Sequence, residues 1–394
     1  MRLLCLLLVL PAAPLGGAAA AALLSVSFED GRILEAQEAD RLWHPASLTK
    51  LMTAYLSFEA LALGHLEWDQ ELTVSKSAGS QPEVALGLSQ GDKITVGKAI
   101  EAMLLRSAND AAVVLAEAVA GSEERFSQQM TQTARRLGMT RSNFVNANGL
   151  PADEQLTTAR DMAILARALL IDLPRRYPLF GKGGFNYGSA WLGNINGILS
   201  SLDGADGMKT GFTCKSGYNL VVSTEREGRR VIGVILGARS PDERRQLAHG
   251  LMERAYEKLD AIDEDLAPSR MALSGTPLLV PADKLPELNG ETAPVVLTPA
   301  DCIYGAAPRA ARGPYAIHVG NFRTYSLANR KMRSLRRLTS ALGFSQQRIT
   351  RAKGVGAAKY QARFANLKKS EAQRACKTLQ SKGHFCRVVP PRRR

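Results

Sequence analysis

Basic residues crowd the last fifth of this chain, and that asymmetry constrains its organisation more than any other feature. Residues 309–394 carry 22 Lys and Arg against a single acid, Glu371, while the rest of the chain holds 29 basic and 36 acidic side chains. One part is near +21 and the other near −7. A split this sharp implies two units with different partners, and it excludes a uniformly basic nucleic-acid binder. The length of 394 residues fits two or three domains, and 45% apolar residues suffice for a buried core.

The N-terminus opens with Arg2, an apolar run from Leu3 to Leu10 and a small-residue stretch from Gly16 to Ala22. That is the layout of a secretory signal, expected over residues 1–22, and the apolar run is too short to span a bilayer securely. Export permits disulfides. Of five cysteines, Cys5 lies in the signal, leaving Cys214, Cys302, Cys376 and Cys386. No Cys-x-x-Cys pair occurs, and His44, His65, His249, His318 and His384 are scattered, so neither a metal nor another cofactor is expected. Cys376 falls in a helical stretch and Cys386 in the strand after the turn at Lys382-Gly383, an arrangement that predicts a disulfide between them.

Residues 24–38 read as a hairpin about Asp30-Gly31. A helix is predicted over 46–62, opened by Pro45, closed at Gly64 and apolar at Leu48, Leu51, Met52, Tyr55 and Leu56. Two helical pieces over 96–120 are interrupted at Ser107-Ala108-Asn109, and another helix covers 158–171. Antiparallel strands follow: one with Lys209-Thr-Gly-Phe-Thr, then 218–223 and 231–237, the last two joined at Glu227-Gly228. Strands at both ends with helices between predict one sheet in which the first and last segments pair. From 263 to 313 a Pro- and Ala-rich stretch reads as a linker. After it, Tyr315-Ala-Ile-His-Val-Gly-Asn-Phe is echoed by Tyr360-Gln-Ala-Arg-Phe-Ala-Asn-Leu, and the unit over 314–390 reads strand–helix, strand, strand–helix, strand.

Three short motifs carry chemistry. Ser47-Leu-Thr-Lys50 puts a hydroxyl and an amine one helical turn apart on the same face. A serine needs a neighbouring base to become a nucleophile, and a buried lysine beside other cations can lose its proton. The helix N-terminus offers backbone N–H groups to a developing oxyanion. Ser107-Ala-Asn109 could equally be a helix cap. In Lys209-Thr210-Gly211 the strand turns Lys209 and Gly211 the same way: the glycine admits a substrate backbone and the lysine attracts a carboxylate.

In this order, Pro-Ala-Ser47-Leu-Thr-Lys50-Leu-Met-Thr, Ser107-Ala-Asn109-Asp-Ala-Ala and Asp206-Gly-Met-Lys209-Thr-Gly-Phe-Thr resemble the low-molecular-mass penicillin-binding proteins, specifically serine D-Ala-D-Ala carboxypeptidases of the DacA type (peptidase family S11). The resemblance covers about residues 24–260 and includes Asn143-Phe-Val-Asn-Ala-Asn-Gly-Leu-Pro and Ser216-Gly-Tyr-Asn-Leu. It implies a catalytic domain over 23–262 with a transpeptidase/β-lactamase-like α/β (α+β) fold, an antiparallel sheet flanked by helices. It also implies that Ser47 is acylated, with Lys50 as its base and Ser107 as a proton relay. Asn109 would hold the substrate backbone, Lys209, Thr210 and Gly211 would form the carboxylate-binding strand, and the N–H groups of Ser47 and Phe212 would form the oxyanion hole. The implied substrate is the D-Ala-D-Ala end of peptidoglycan stem peptides, and β-lactams would inhibit. Many members continue into a small all-β domain and an amphipathic helix, for which 263–313 is too short and irregular. No role is assigned to Cys214 or Cys302.

Residues 314–390 resemble a SPOR domain, which implies binding to glycan strands stripped of stem peptides. The charge agrees: each stripped muramic acid exposes a carboxylate that a basic groove attracts. Nucleic acid, the other polyanion, is not expected as a partner of an exported chain. Rival functions for the first unit are a D,D-endopeptidase on crosslinks, a β-lactamase and a catalytically silent wall-binding protein. A β-lactamase needs a deacylating carboxylate, and no Glu-x-x-Leu-Asn segment supplies one.

Overall fold

In the computed structural model, described residues are 21–82, 84–265, 314–323, 327–328, 331–332, 334–335, 346–351 and 360–391. The expected signal up to residue 20 and the linker expected over 263–313 lie outside them, except that residues 263–265 are the end of a helix rather than linker. The expected hairpin is present, as β1 (Ala22–Ser27) and β2 (Ile33–Gln37). Strand β1 thus starts inside the stretch assigned to the signal.

The chain then makes a 3-10 turn (Ala46–Thr49) and helix α1 (Lys50–Ala62), so the single helix expected over 46–62 is two pieces. Between them and the next strands of the main sheet lie β3 (Glu71–Thr73), α2 (Lys76–Gly79), β4 (Lys93–Thr95) and α3 (Val96–Glu101). A π-turn (Ala102–Arg106), α4 (Asn109–Ala120), α5 (Glu123–Leu137), α6 (Ala159–Asp172) and the hairpin β5 (Gly184–Tyr187) with β6 (Ala190–Gly193) follow. The sheet is completed by β7 (Ala205–Thr213), β8 (Gly217–Arg226) and β9 (Arg229–Ala238), before the long helix α7 (Pro241–Asp265).

The sheet runs β2-β1-β9-β8-β7, with every neighbouring pair antiparallel. Its first and last segments pair as expected, Leu24 lying opposite Val234. The turn at Glu227-Gly228 has positive φ at both residues (53° and 79°), the conformation that suits a two-residue hairpin. Alternate residues serve opposite faces. Leu24, Val26, Val234 and Leu236 pack against Leu51, Met52, Val113 and Leu165 of the helical layer. Leu23, Leu220, Val222 and Ile235 pack against Leu251, Met252 and Ala255 of α7. Helices therefore cover both faces, and among the described residues no strand pairs with the outer edge of β7. Among the described residues no helix is long and apolar enough to cross a membrane.

The C-terminal segments form a second antiparallel sheet from β10 (Tyr315–Phe322), β11 (Gln346–Arg351), β12 (Tyr360–Leu367) and β13 (Arg387–Val389), in the order β11-β12-β10-β13. Helix α8 (Lys369–Ser381) lies before β13, and helical residues between 327 and 335 lie before β11. Ile317, Val319, Ala362 and Phe364 pack on Met332, Leu335, Ala375 and Leu379. Cys376 and Cys386 are disulfide-bonded with their Cα atoms 5.2 Å apart. Closing a loop with a sequence separation of 10 restricts the unfolded chain, a contribution of roughly 2–3 kcal/mol. Substituting both cysteines by alanine is expected to lower this unit's unfolding midpoint, read by urea titration of far-ultraviolet circular dichroism. An unchanged midpoint would show that the bridge adds nothing.

Candidate active site

The turn that carries Ser47 is held by unusual backbone on two sides. Ala46 has φ +49°, outside the ordinary range for a side-chain-bearing residue. Gly149 (φ +85°) presses against it, and a Cβ there would come within 2.0 Å of the Ala46 carbonyl oxygen. From the other side the outer edge of β7 approaches. A Cβ on Gly211 would lie 3.1 Å from the Ser47 nitrogen and 3.2 Å from the Leu48 nitrogen, so glycine lets the strand come this close. Asn219 of β8 donates to the carbonyls of His44 (3.0 Å) and Pro45 (3.1 Å), which fixes the start of the turn.

Ser47 is half-buried, whereas Lys50 beneath it is fully buried. The Lys50 Nζ donates to Ser47 Oγ (3.0 Å), to Asn109 Oδ1 (2.7 Å) and to the backbone carbonyl of Asn148. Two of the three motifs thus meet at one amine. The other end of the Asn109 amide donates to the Pro82 carbonyl (3.0 Å), and the Asn109 backbone N–H donates to Val84. Asn109 begins α4, yet its side chain does not cap the helix, so the capping role open to it from sequence is not the one it takes.

The third motif meets the second at Ser107. This residue has φ +65°, the break expected between the two helical pieces, and its hydroxyl accepts from Lys209 Nζ at 2.9 Å. Lys209 also donates to the Thr210 carbonyl (2.9 Å) and is only 2% exposed. Burial, reinforced by the nearby Arg244 guanidinium, pushes its pKa down to about 7. Arg244 comes from α7, donates to the Asn219 carbonyl and lies over the Tyr218 ring, which stacks on Phe212 at 4.2 Å. Thr210 and Phe212 are half-buried on the same strand. Cys214, just past β7, is disulfide-bonded.

Sequence reasoning singled out neither Asn148, Gly149 and Asn219 individually nor Arg244 at all. The first three lie in segments that stood out as motifs without an assigned role, and Arg244 lies in a helix with no signature. Chemically, the arrangement offers a hydroxyl touching a buried amine, a second hydroxyl touching a second buried amine, and the outer edge of a strand beside them. That is the equipment of acyl transfer.

Comparison with known proteins agrees with this geometry. The family model of Peptidase S11, D-alanyl-D-alanine carboxypeptidase, matches residues 11–240. The chain is 38% identical over 228 residues to D-alanyl-D-alanine carboxypeptidase DacC of Escherichia coli (strain K12), covering 56% of this chain and 57% of that one. It is 31% identical to DacF of Bacillus subtilis (strain 168), covering 59% and 61%. Thus the chain spans little more than half the length of these curated relatives. Among solved structures, penicillin-binding protein D2 from Listeria monocytogenes in its ampicillin-bound form superposes with a TM-score of 0.56 at 34% identity, covering 60% of this chain and 96% of that one. DacD from Francisella tularensis gives a TM-score of 0.58 at 30% identity, covering 62% and 72%. The fold is that of the penicillin-binding proteins, as the motifs implied. With the family model matching more than half of its residues, the chain belongs to the Peptidase S11 family of D-alanyl-D-alanine carboxypeptidases.

Proposed function

We propose that this protein is a serine D-Ala-D-Ala carboxypeptidase acting outside the cytoplasm on peptidoglycan stem peptides. The observation that carries the reading is the 3.0 Å contact between the Lys50 amine and the Ser47 hydroxyl, backed by Asn109. In its neutral form Lys50 takes the Ser47 proton as Oγ attacks the carbonyl carbon of the penultimate D-Ala. The resulting oxyanion is met by the N–H groups of Ser47 and Phe212. Collapse breaks the peptide bond, and the departing D-Ala amine takes a proton through Lys50 and Ser107. Water then hydrolyses the acyl ester and restores the hydroxyl. Asn109 holds the substrate backbone, while Lys209, Thr210 and Gly211 receive the terminal carboxylate, with Arg244 supporting the positive field. β-Lactams enter as mimics of D-Ala-D-Ala and acylate the same oxygen. Incubation with a stem pentapeptide should release free D-Ala, with little cleavage of crosslinked dimers. Faster cleavage of the dimers would make the protein an endopeptidase instead.

The C-terminal unit supports a second activity, binding of stripped, anionic glycan strands. Its sheet register sets His318 opposite Arg363 and Arg387, and Arg363 opposite Arg348, so that three arginines and a histidine form a row across all four strands. Phe385 is exposed and stands edge-on to the His318 ring (5.7 Å). The full chain should pull down with amidase-treated sacculi better than with untreated ones, and salt should weaken the binding as screening closes in to about 8–10 Å. Equal capture by both preparations would refute recognition of stripped glycan.

A further inference from the structure

We propose that Lys215 and Asp153 form a subsite beside Ser47 for a side chain that carries both an amino group and a carboxylate, on the stem-peptide residue preceding the two D-alanines. The inference rests on the peptidase reading above. Strand β7 sets the direction. Gly211 lies against the Ser47 nitrogen, and strand residues advance about 3.3 Å each. A substrate whose terminal carboxylate points to Lys209 therefore sends the rest of its chain the other way, past Thr213. There lies a small cavity, with room for about one water molecule, lined by His44, Ala46, Gly149, Thr213 and Lys215, so that a long side chain would lie over it rather than enter it. Its walls are the nucleophile's own turn, the loop after Gly149 and the end of β7.

Lys215 and Asp153 bridge the two sides of this cavity as an ion pair, with side chains 42% and 81% exposed. Both act on the buried His44 ring. Burial chiefly lowers the His44 pKa, Lys215 lowers it further and Asp153 opposes. An exposed pair of this kind adds little to stability, so its two groups can turn to a ligand at small cost. Side by side, an ammonium and a carboxylate are complementary to a side chain bearing the same two groups, amino to Asp153 and carboxylate to Lys215. A side chain with only an amine would satisfy Asp153 and leave Lys215 without its anion.

The test compares two stem pentapeptides that differ only in the third residue, meso-diaminopimelate or L-lysine, on the full chain and on Lys215→Gln and Asp153→Asn. The unaltered protein should favour the diaminopimelate peptide by about two- to fivefold in kcat/KM, as the one exposed ionic contact that distinguishes the two peptides allows. Lys215→Gln should abolish that preference through KM, and Asp153→Asn should raise KM for both peptides alike, while the rate of acylation by benzylpenicillin, which lacks such a side chain, stays unchanged. Equal KM for the two peptides on the unaltered protein, a preference that survives Lys215→Gln, or a KM that Asp153→Asn leaves unchanged for both, would overturn the subsite. If the unaltered protein releases D-Ala from neither peptide, the peptidase reading fails and takes the subsite with it.

Discussion

Replacing Ser47 by alanine is expected to abolish covalent labelling by penicillin and to lower D-Ala release by about 10⁴- to 10⁶-fold, the scale seen when an acylated serine is removed. The fold should survive, because Ser47 is half-buried and Lys50 keeps Asn109 and the Asn148 carbonyl as partners. Lys50→Met should cost about as much, and the double variant little more than either, since the two groups act as one unit. The Lys50 change also leaves two buried acceptors, Asn109 Oδ1 and the Asn148 carbonyl, without their donor, so a loss of stability of roughly 1–3 kcal/mol should accompany it. Intact mass after penicillin treatment reads the adduct, and circular dichroism reads the fold. A full-stoichiometry adduct on a folded Ser47→Ala chain would move the nucleophile to another residue.

What could be seen in the sequence divides along physical lines. Side chains with rare chemistry at short spacing were legible: Ser47 with Lys50, Ser107 with Asn109, and Lys209 with Gly211. Local backbone signals were legible too, since Gly64 and Gly228 adopt the positive φ that their helix-end and turn positions require. The pairing of β1 with β9 followed from strands at both ends of a helical insert, and the Cys376–Cys386 bridge followed from a turn between a helix and a strand. What stayed hidden depends on groups without a residue-type signature. Lys50's third acceptor is the backbone carbonyl of Asn148, and any residue has a carbonyl. Arg244 reaches the site from α7, more than 30 residues past Lys209 in sequence, and only the packing of that helix on the sheet brings it there. The 3-10 turn at Ser47 was read as plain helix because the apolar spacing of 48–56 continues through it. Helix α5 is capped by the Ser122 hydroxyl and ended by Gly138, two local signals that are present in the sequence but stand apart from any chemical motif.

Lys209 carries the other large effect. Lys209→Ala should lower kcat/KM on the pentapeptide by about 30- to 150-fold, mostly through KM, because a buried charge-assisted contact of roughly 2–3 kcal/mol is lost. The unaltered enzyme should also show the loss as a function of pH. With its pKa held down to about 7 by burial and by Arg244, Lys209 is cationic below that value and sheds its charge as the pH rises through it. Attraction for a terminal carboxylate is thus fully present at low pH and fades above about 7, which sets the descending limb of kcat/KM, the parameter that reports the free enzyme. Stability moves the opposite way. The unfolded chain still binds that proton up to the ordinary lysine value of 10.5, so this group's contribution to stability grows with pH between the two values. Lys209→Arg keeps the charge throughout and should shift the descending limb well above 7, even if the bulkier head lowers the plateau. A descending limb that stays in place in the arginine variant would assign it to another group and remove Lys209 as the carboxylate's partner.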